Sequence, residues 1–146
     1  MTANIASTHN TGHHSSRHAW TVWLLLGLTT LQILLVFAQA VFAGQFLSGN
    51  AAGLEMHEML GTEVLTLVSM LQFVAAILVW RPGRRGALPI LLTVVTFILI
   101  FMQIEWGFGG RLVLHVPNAL AIFALQFLLL WVTRRHEPHR RVLSPT

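Results

Sequence analysis

Two histidines stand where a cofactor could be held. His57 lies in Leu54-Glu55-Met56-His57-Glu58-Met59-Leu60-Gly61, at the opening of a long apolar run, and His115 in Leu112-Val113-Leu114-His115, at the opening of another. An imidazole left unpaired in hydrocarbon is costly, so a histidine inside a membrane span marks a functional site by default. Two of them entering from the same side, to about the same depth, point to one shared ligand. A haem iron with two axial imidazoles suits such a pair. Gly61 and Ala119 each follow a histidine by four residues, one turn deeper on the same face. Small side chains there leave room for a flat macrocycle, and Val64, Val68 and Ile122 below them would form an apolar wall. Arg111, one turn outward from His115, is the expected partner of haem propionates; the competing reading makes it an interfacial anchor.

Other readings of these segments compete. The histidines could be hydrogen-bonding residues near the headgroups with no ligand at all. Met56, Met59 and Met102 raise copper, since thioether and imidazole suit Cu(I). Glu63, some 9 Å below His57 by helical rise, reads either as a proton or quinone contact or as a hydrogen bond to Gln39 or Gln103. The second of these is expected. Pro117 frees the carbonyl of Val113, and Asn118 beside it reads as interhelical glue or as a cap to the site. His9, His13, His14 and His18 match no zinc spacing and belong to a disordered leader.

The elements that position the pair follow from composition. Of 146 residues, 55% are hydrophobic and only 10% charged, against about 25% charged in a soluble domain. Mean hydropathy is +0.69. The chain reads as a polytopic membrane protein of one domain. Without cysteine there is no disulfide framework, no covalent CxxCH haem attachment and no thiolate-held cluster. The pI near 11.7 does not indicate nucleic acid, because the arginines sit in connections between apolar runs rather than along a groove-binding face.

Four spans are expected, at about 20–43, 56–80, 87–106 and 111–132, each ample for a ~30 Å hydrocarbon core. Residues 1–19 form a polar tail and 134–146 a basic one. Gly44 to Leu54 reads as a loop and Arg81-Pro82-Gly83-Arg84-Arg85-Gly86 as a tight basic turn. Ala38-Gln39-Ala40 resembles a signal-cleavage site, but the apolar core before it is too long for a signal peptide, so the first span is retained. Arg17, Arg81, Arg84, Arg85, Arg134, Arg135, Arg140 and Arg141 fall on one side and Arg111 alone on the other, which sets both termini in the cytoplasm of a cell-membrane protein. Short connections force antiparallel neighbours. The expected fold is all-α: an up-down four-helix transmembrane bundle.

The two halves repeat. At an offset of 64, Thr29, Phe37 and Gln39 meet Thr93, Phe101 and Gln103. At an offset of 58, Leu54, His57, Leu67 and Leu71 meet Leu112, His115, Leu125 and Leu129. The halves would then be parallel repeats about an axis normal to the membrane.

A histidine at the outer start of helix two and another at the outer start of helix four resembles one half of the haem A synthase family and, more distantly, the b-type transmembrane cytochromes. The wording Gly44, Gln45-Phe46, His57-Glu58-x-x-Gly61 and Leu114-His115-Val116-Pro117-Asn118-Ala119 is similar to that of small bacterial four-helix membrane proteins, over residues 20–133. The first resemblance implies axial ligation by His57 and His115. Haem A synthase has eight helices and a glutamate four residues before a reactive-half histidine; here those positions hold Gly53 and Arg111, and the cysteine pair of some members is absent. Haem A synthesis is therefore not expected. Bis-histidine ligation leaves no open position on iron, which favours electron transfer over oxygen chemistry.

The expectation is thus a b-type haem protein working in the lipid bilayer with a quinone or another membrane redox partner, an electron carrier more than an enzyme. The alternatives are a cofactor-free membrane scaffold, and a transporter of copper or a small solute using His57, Met59 and Glu63.

Overall fold

The computed structural model describes the backbone of residues 12–80 and 86–135, and side chains from Ala19 onward. It holds four long helices: α1 (Gly12–Leu47), α2 (Ala51–Val79), α3 (Leu88–Phe108) and α4 (Leu112–Arg135). All four are long and apolar enough to cross a membrane, with mean hydropathies from 1.9 to 2.2 over their most apolar stretches. The tail before residue 12, the turn at Arg81–Arg85 and the C-terminal tail from residue 136 lie outside the described residues.

Two boundaries differ from the sequence reading. Helix α1 begins at Gly12, so part of the expected leader is helical. No proline or glycine interrupts residues 13–19, and extending an existing helix is far easier than nucleating one. The expected loop at 44–54 shrinks to Ser48, Gly49 and Asn50. Gly49 takes a positive φ of 92°, a conformation open to glycine and suited to ending a helix. Asn50 then caps α2, its side chain accepting from the Ala52 amide at 3.2 Å.

This short turn folds α2 tightly back on α1. A Cβ at buried Gly53 would stand 2.8 Å from both the Phe42 carbonyl oxygen and the Phe46 nitrogen, backbone atoms that cannot rotate away. Gly53→Ala is therefore expected to destabilise the fold by about 1–3 kcal/mol, as overpacking does. Gly27→Ala, with open space around its Cβ, serves as the control and should raise stability by up to about 1 kcal/mol through helix propensity. Thermal unfolding of the two variants checks both signs.

Each helix packs on its neighbours in sequence, and α4 closes the ring against α1. The diagonal pairs, α1 with α3 and α2 with α4, have no Cα atoms within 8 Å among the described residues. Helices α2 and α4, which carry His57 and His115, are therefore diagonal in the bundle.

The interior is divided along its length. Toward the Arg134 end it is mainly apolar, with Val22, Leu25, Ala75 and Val79 between α1 and α2, and Leu92, Leu129 and Val132 between α3 and α4, although Thr93 and Thr133 are buried in this half as well. Toward the histidine end buried polar groups replace them, including Gln32, Ser69, Thr96 and Asn118. Large apolar side chains such as Leu34, Phe37 and Leu120 face outward at 61%, 62% and 67% exposure. An apolar exterior around a partly polar interior reverses the order of a water-soluble bundle and suits a lipid surround.

Candidate functional site

The histidine end of the bundle brings His57 and His115 together. Their ring centroids are 6.0 Å apart and the ring planes are inclined by 52°. Both side chains are half-buried.

Each ring is oriented by the glutamine of the repeat. His57 Nδ1 lies 3.1 Å from the Gln39 carbonyl oxygen, and His115 Nδ1 lies 2.9 Å from that of Gln103. A carbonyl oxygen can only accept, so each Nδ1 carries the hydrogen and donates it. In the neutral ring that leaves the Nε2 lone pair for a ligand, the arrangement metal-binding histidines adopt. The two halves thus repeat in chemistry: a backbone carbonyl on α1 or α3 sets the tautomer of an imidazole on α2 or α4.

The glutamine side chains do different work. Gln39 Nε2 donates to the His57 carbonyl at 3.0 Å, completing a reciprocal clamp between the two residues. Gln103 Oε1 accepts from Asn118 Nδ2 at 2.7 Å, and the same amide group donates to the Leu99 carbonyl at 2.8 Å. Asn118 therefore ties α4 to α3, the glue role set out for it above. A Cβ at Gly107 would lie 3.0 Å from His115 Cε1 and 3.2 Å from its Nδ1, so glycine at this position lets the ring lie against α3. Gly107 has no role in the sequence reading; its spacing of four from Gln103 is the available signal.

Helix α2 changes its winding just below His57. Residues Leu60–Leu65 form a π turn, with Thr66 Oγ1 reaching the Gly61 carbonyl at 3.4 Å. Such wide turns interrupt α-helices mainly at functional sites. The extra residue alters the i, i+4 relation that was to place Gly61 under His57. Instead Gly61 faces Gln39, whose Nε2 would be 3.0 Å from a Cβ there. The space expected for a macrocycle edge at Gly61 is thus covered by the Gln39 amide. Ala119 and His115 on α4 and Val64 on α2 are half-buried, whereas Val68 and Ile122 are buried deeper in the bundle.

Arg111 is exposed at the start of α4, its carbonyl accepting from the His115 amide at 3.0 Å. It sits at the rim of the site, one turn outward from the ring. Glu63 differs from expectation: it is exposed on the outer face of α2 and makes no hydrogen bond to Gln39 or Gln103. Met56, Met59 and Met102 are exposed as well, so the set His57, Met59 and Glu63 does not converge. Among the described residues no group of three or more histidine or acidic side chains is placed to hold a metal ion.

Roughly three to four turns below the site, Gln72 and Gln126 join the diagonal helices directly. Gln72 Nε2 donates to Gln126 Oε1 at 2.8 Å and to Thr29 Oγ1 at 2.9 Å, and Gln126 Nε2 returns a bond to Gln72 Oε1 at 3.2 Å. This pair also corrects the repeat. The leucine matches at an offset of 58 do not share an environment: Leu71 is 48% exposed and Leu129 fully buried. Buried positions instead match at an offset of 54, as Val68 with Ile122, Gln72 with Gln126 and Ala75 with Leu129. Fifteen residues separate His57 from Gln72 but eleven separate His115 from Gln126, and the π turn lies inside the longer stretch.

The site is therefore two diagonal imidazoles of fixed tautomer, a rim arginine, and a polar floor. No family model, curated protein or solved structure matches this chain, so its chemistry is read from these residues.

Proposed function

We propose that this chain is a multi-pass membrane protein that holds a b-type haem iron between His57 and His115 and carries electrons within the bilayer. The observation that carries the reading is the ring geometry. A metal with bonds of ~2 Å to two imidazole nitrogens sets the ring centroids about 6 Å apart, and these are 6.0 Å apart with both Nδ1 atoms engaged by carbonyls. Bound haem with two axial imidazoles would exchange single electrons and offer no open position to oxygen.

The chain's own residues would do the following. Gln39 and Gln103 hold the rings by their carbonyls, and Arg111 stands at the rim where anionic propionates would emerge. The Gln39 amide over Gly61 is the group that must turn aside for the macrocycle edge, and it hangs on one hydrogen bond. With eight arginines on the opposite side, the site faces away from the cytoplasm and both termini lie within it. The resemblance to half of haem A synthase supports the same ligand assignment.

A second reading keeps the fold without a cofactor. The bonds from His57 to α1 and from His115 to α3 tie adjacent helices on their own, which is what a membrane scaffold would need. Purification from a haem-replete host separates the two. A Soret band with the sharp visible bands of low-spin, six-coordinate haem is the expected result. Colourless protein that also takes up no added haemin would overturn the haem reading in favour of the scaffold.

A further inference from the structure

About one turn from the glutamine pair toward the histidines, the bundle axis crosses a further buried layer. Its members are Gln32 on α1, Ser69 on α2, Thr96 on α3 and Ile122 on α4. The antiparallel registers place them together. Thr29 meets Gln72, and Gln32 and Ser69 each lie three residues, roughly 4.5 Å of rise, toward the histidine end. Asn118 reaches the Leu99 carbonyl, so one turn further down Ile122 is level with Thr96. The Gln72–Gln126 bond aligns the two sides.

All four are buried, at 0%, 1%, 1% and 3% exposure in that order. Yet Gln32 Nε2, Gln32 Oε1, Ser69 Oγ and Thr96 Oγ1 have no hydrogen-bond partner in the protein. The hydroxyls are not spent locally either. Thr29, Thr30, Thr62 and Thr93 each bond the carbonyl four residues back, whereas Ser69 and Thr96 do not. Folded proteins leave very few buried polar atoms unpaired, and four in a single layer call for a ligand.

The mixture of groups identifies its class. A cation would satisfy the oxygens but stand against the Gln32 Nε2 donor. An anion would satisfy the donors and oppose Gln32 Oε1. An apolar tail would satisfy none. Water donates and accepts, and a buried molecule with two to four such partners is a normal part of a protein interior.

We propose that this layer is an internal water site, in which water molecules bridge Gln32, Ser69 and Thr96. The site belongs to the histidine half alone. Its floor is the Gln72–Gln126 bridge, and beyond that lies the apolar packing around Leu25, Leu92 and Leu129. Toward the histidines the next unpaired acceptor is Gln39 Oε1, two turns along α1 on the residue that clamps His57. The water is thus proton-exchangeable and lies on the histidine side of the Gln72–Gln126 bridge.

The test uses the full-length protein in detergent. Thr96→Val and Gln32→Leu are measured singly and together by thermal unfolding, with Ser69→Ala as the smallest change should either fold poorly. Bridging water predicts that each single variant lowers Tm by about 2–4 °C, and that the double variant falls by less than the sum, because the first substitution already costs the shared water its partner. Gln32 and Thr96 make no hydrogen bond to one another, so coupling through hydrogen bonds between them requires an intermediary. Unchanged or raised Tm values are what deleting dry, unpaired groups would give, and strictly additive losses would exclude a shared molecule; either overturns the proposal. Proton-detected NMR in nanodiscs gives a second readout: water cross-peaks at the Gln32 amide protons and none at those of Gln72. The outcome is separate from the haem reading, since a colourless protein can have a wet layer and a coloured one a dry layer.

Discussion

Gln72→Leu should destabilise the bundle by about 1–3 kcal/mol, the cost of stranding a buried polar partner. Hydrogen bonds between membrane helices often contribute less, about 0.6 kcal/mol on average, because partly unfolded helices in lipid find other partners. Here the balance favours the larger figure. The substitution removes three bonds at once and leaves both ends of the Gln126 amide unpaired at 0% exposure. Gln126→Leu should cost a similar amount. The double variant, with two apolar side chains across the diagonal, should be less destabilised than the sum of the singles, since the second change removes the very group the first stranded. Unfolding by heat or by denaturing detergent reads all three. Leu71→Ala, on the exposed face one residue away, is the control. A Gln72→Leu loss no larger than that of the control would show that the pair is replaceable by other contacts.

His57→Ala and His115→Ala should each abolish the low-spin haem spectrum and weaken haem binding by at least about a hundredfold. Loss even of a group that merely orients a ligand typically weakens a metal site 10–100-fold, and here the ligand itself is removed. Neither change should prevent folding. Each removes one hydrogen bond to a neighbouring helix, Nδ1 to Gln39 or to Gln103, for which about 0.5–1.5 kcal/mol is typical. Gln39→Leu should bind haemin about as the parent does: it keeps the backbone oxygen that sets the tautomer, and the amide bond it loses is one the macrocycle would displace. Haemin titration followed at the Soret band measures the series. Two alanine variants that bind haemin as the parent does would leave the histidines as helix ties only.

Much of this was legible before any coordinates. Apolar runs of about 20–25 residues separated by short polar connections favour long helices, because backbone polar groups among apolar side chains are best satisfied within the segment. Short connections then make neighbours antiparallel. The pairing of His57 with His115 and of Gln39 with Gln103 was visible as a repeat, and it proved to be a repeat of one hydrogen bond. Where the reading failed, it relied on uniform α-helical geometry or on residue type alone. Gly61 was expected under His57 by a four-residue step that the π turn does not keep. A carboxyl in an apolar run points to a buried partner for Glu63, yet Glu63 lies on the outer face. Leucine matches fixed the wrong offset, because leucine suits the lipid side and the core equally and carries no information about which it faces.

The sequence by itself determined that there are four apolar helices, that they alternate in direction, and that both histidines begin their spans at the same end. Those properties follow from local hydropathy and loop length. Only the tertiary structure decided which polar side chains meet. That depends on helix rotation and register, quantities a single wide turn between His57 and Gln72 shifts by tens of degrees without leaving a mark in composition. Packing thereby set the 6.0 Å histidine pair, the Gln72–Gln126 bridge and the unpaired layer between them.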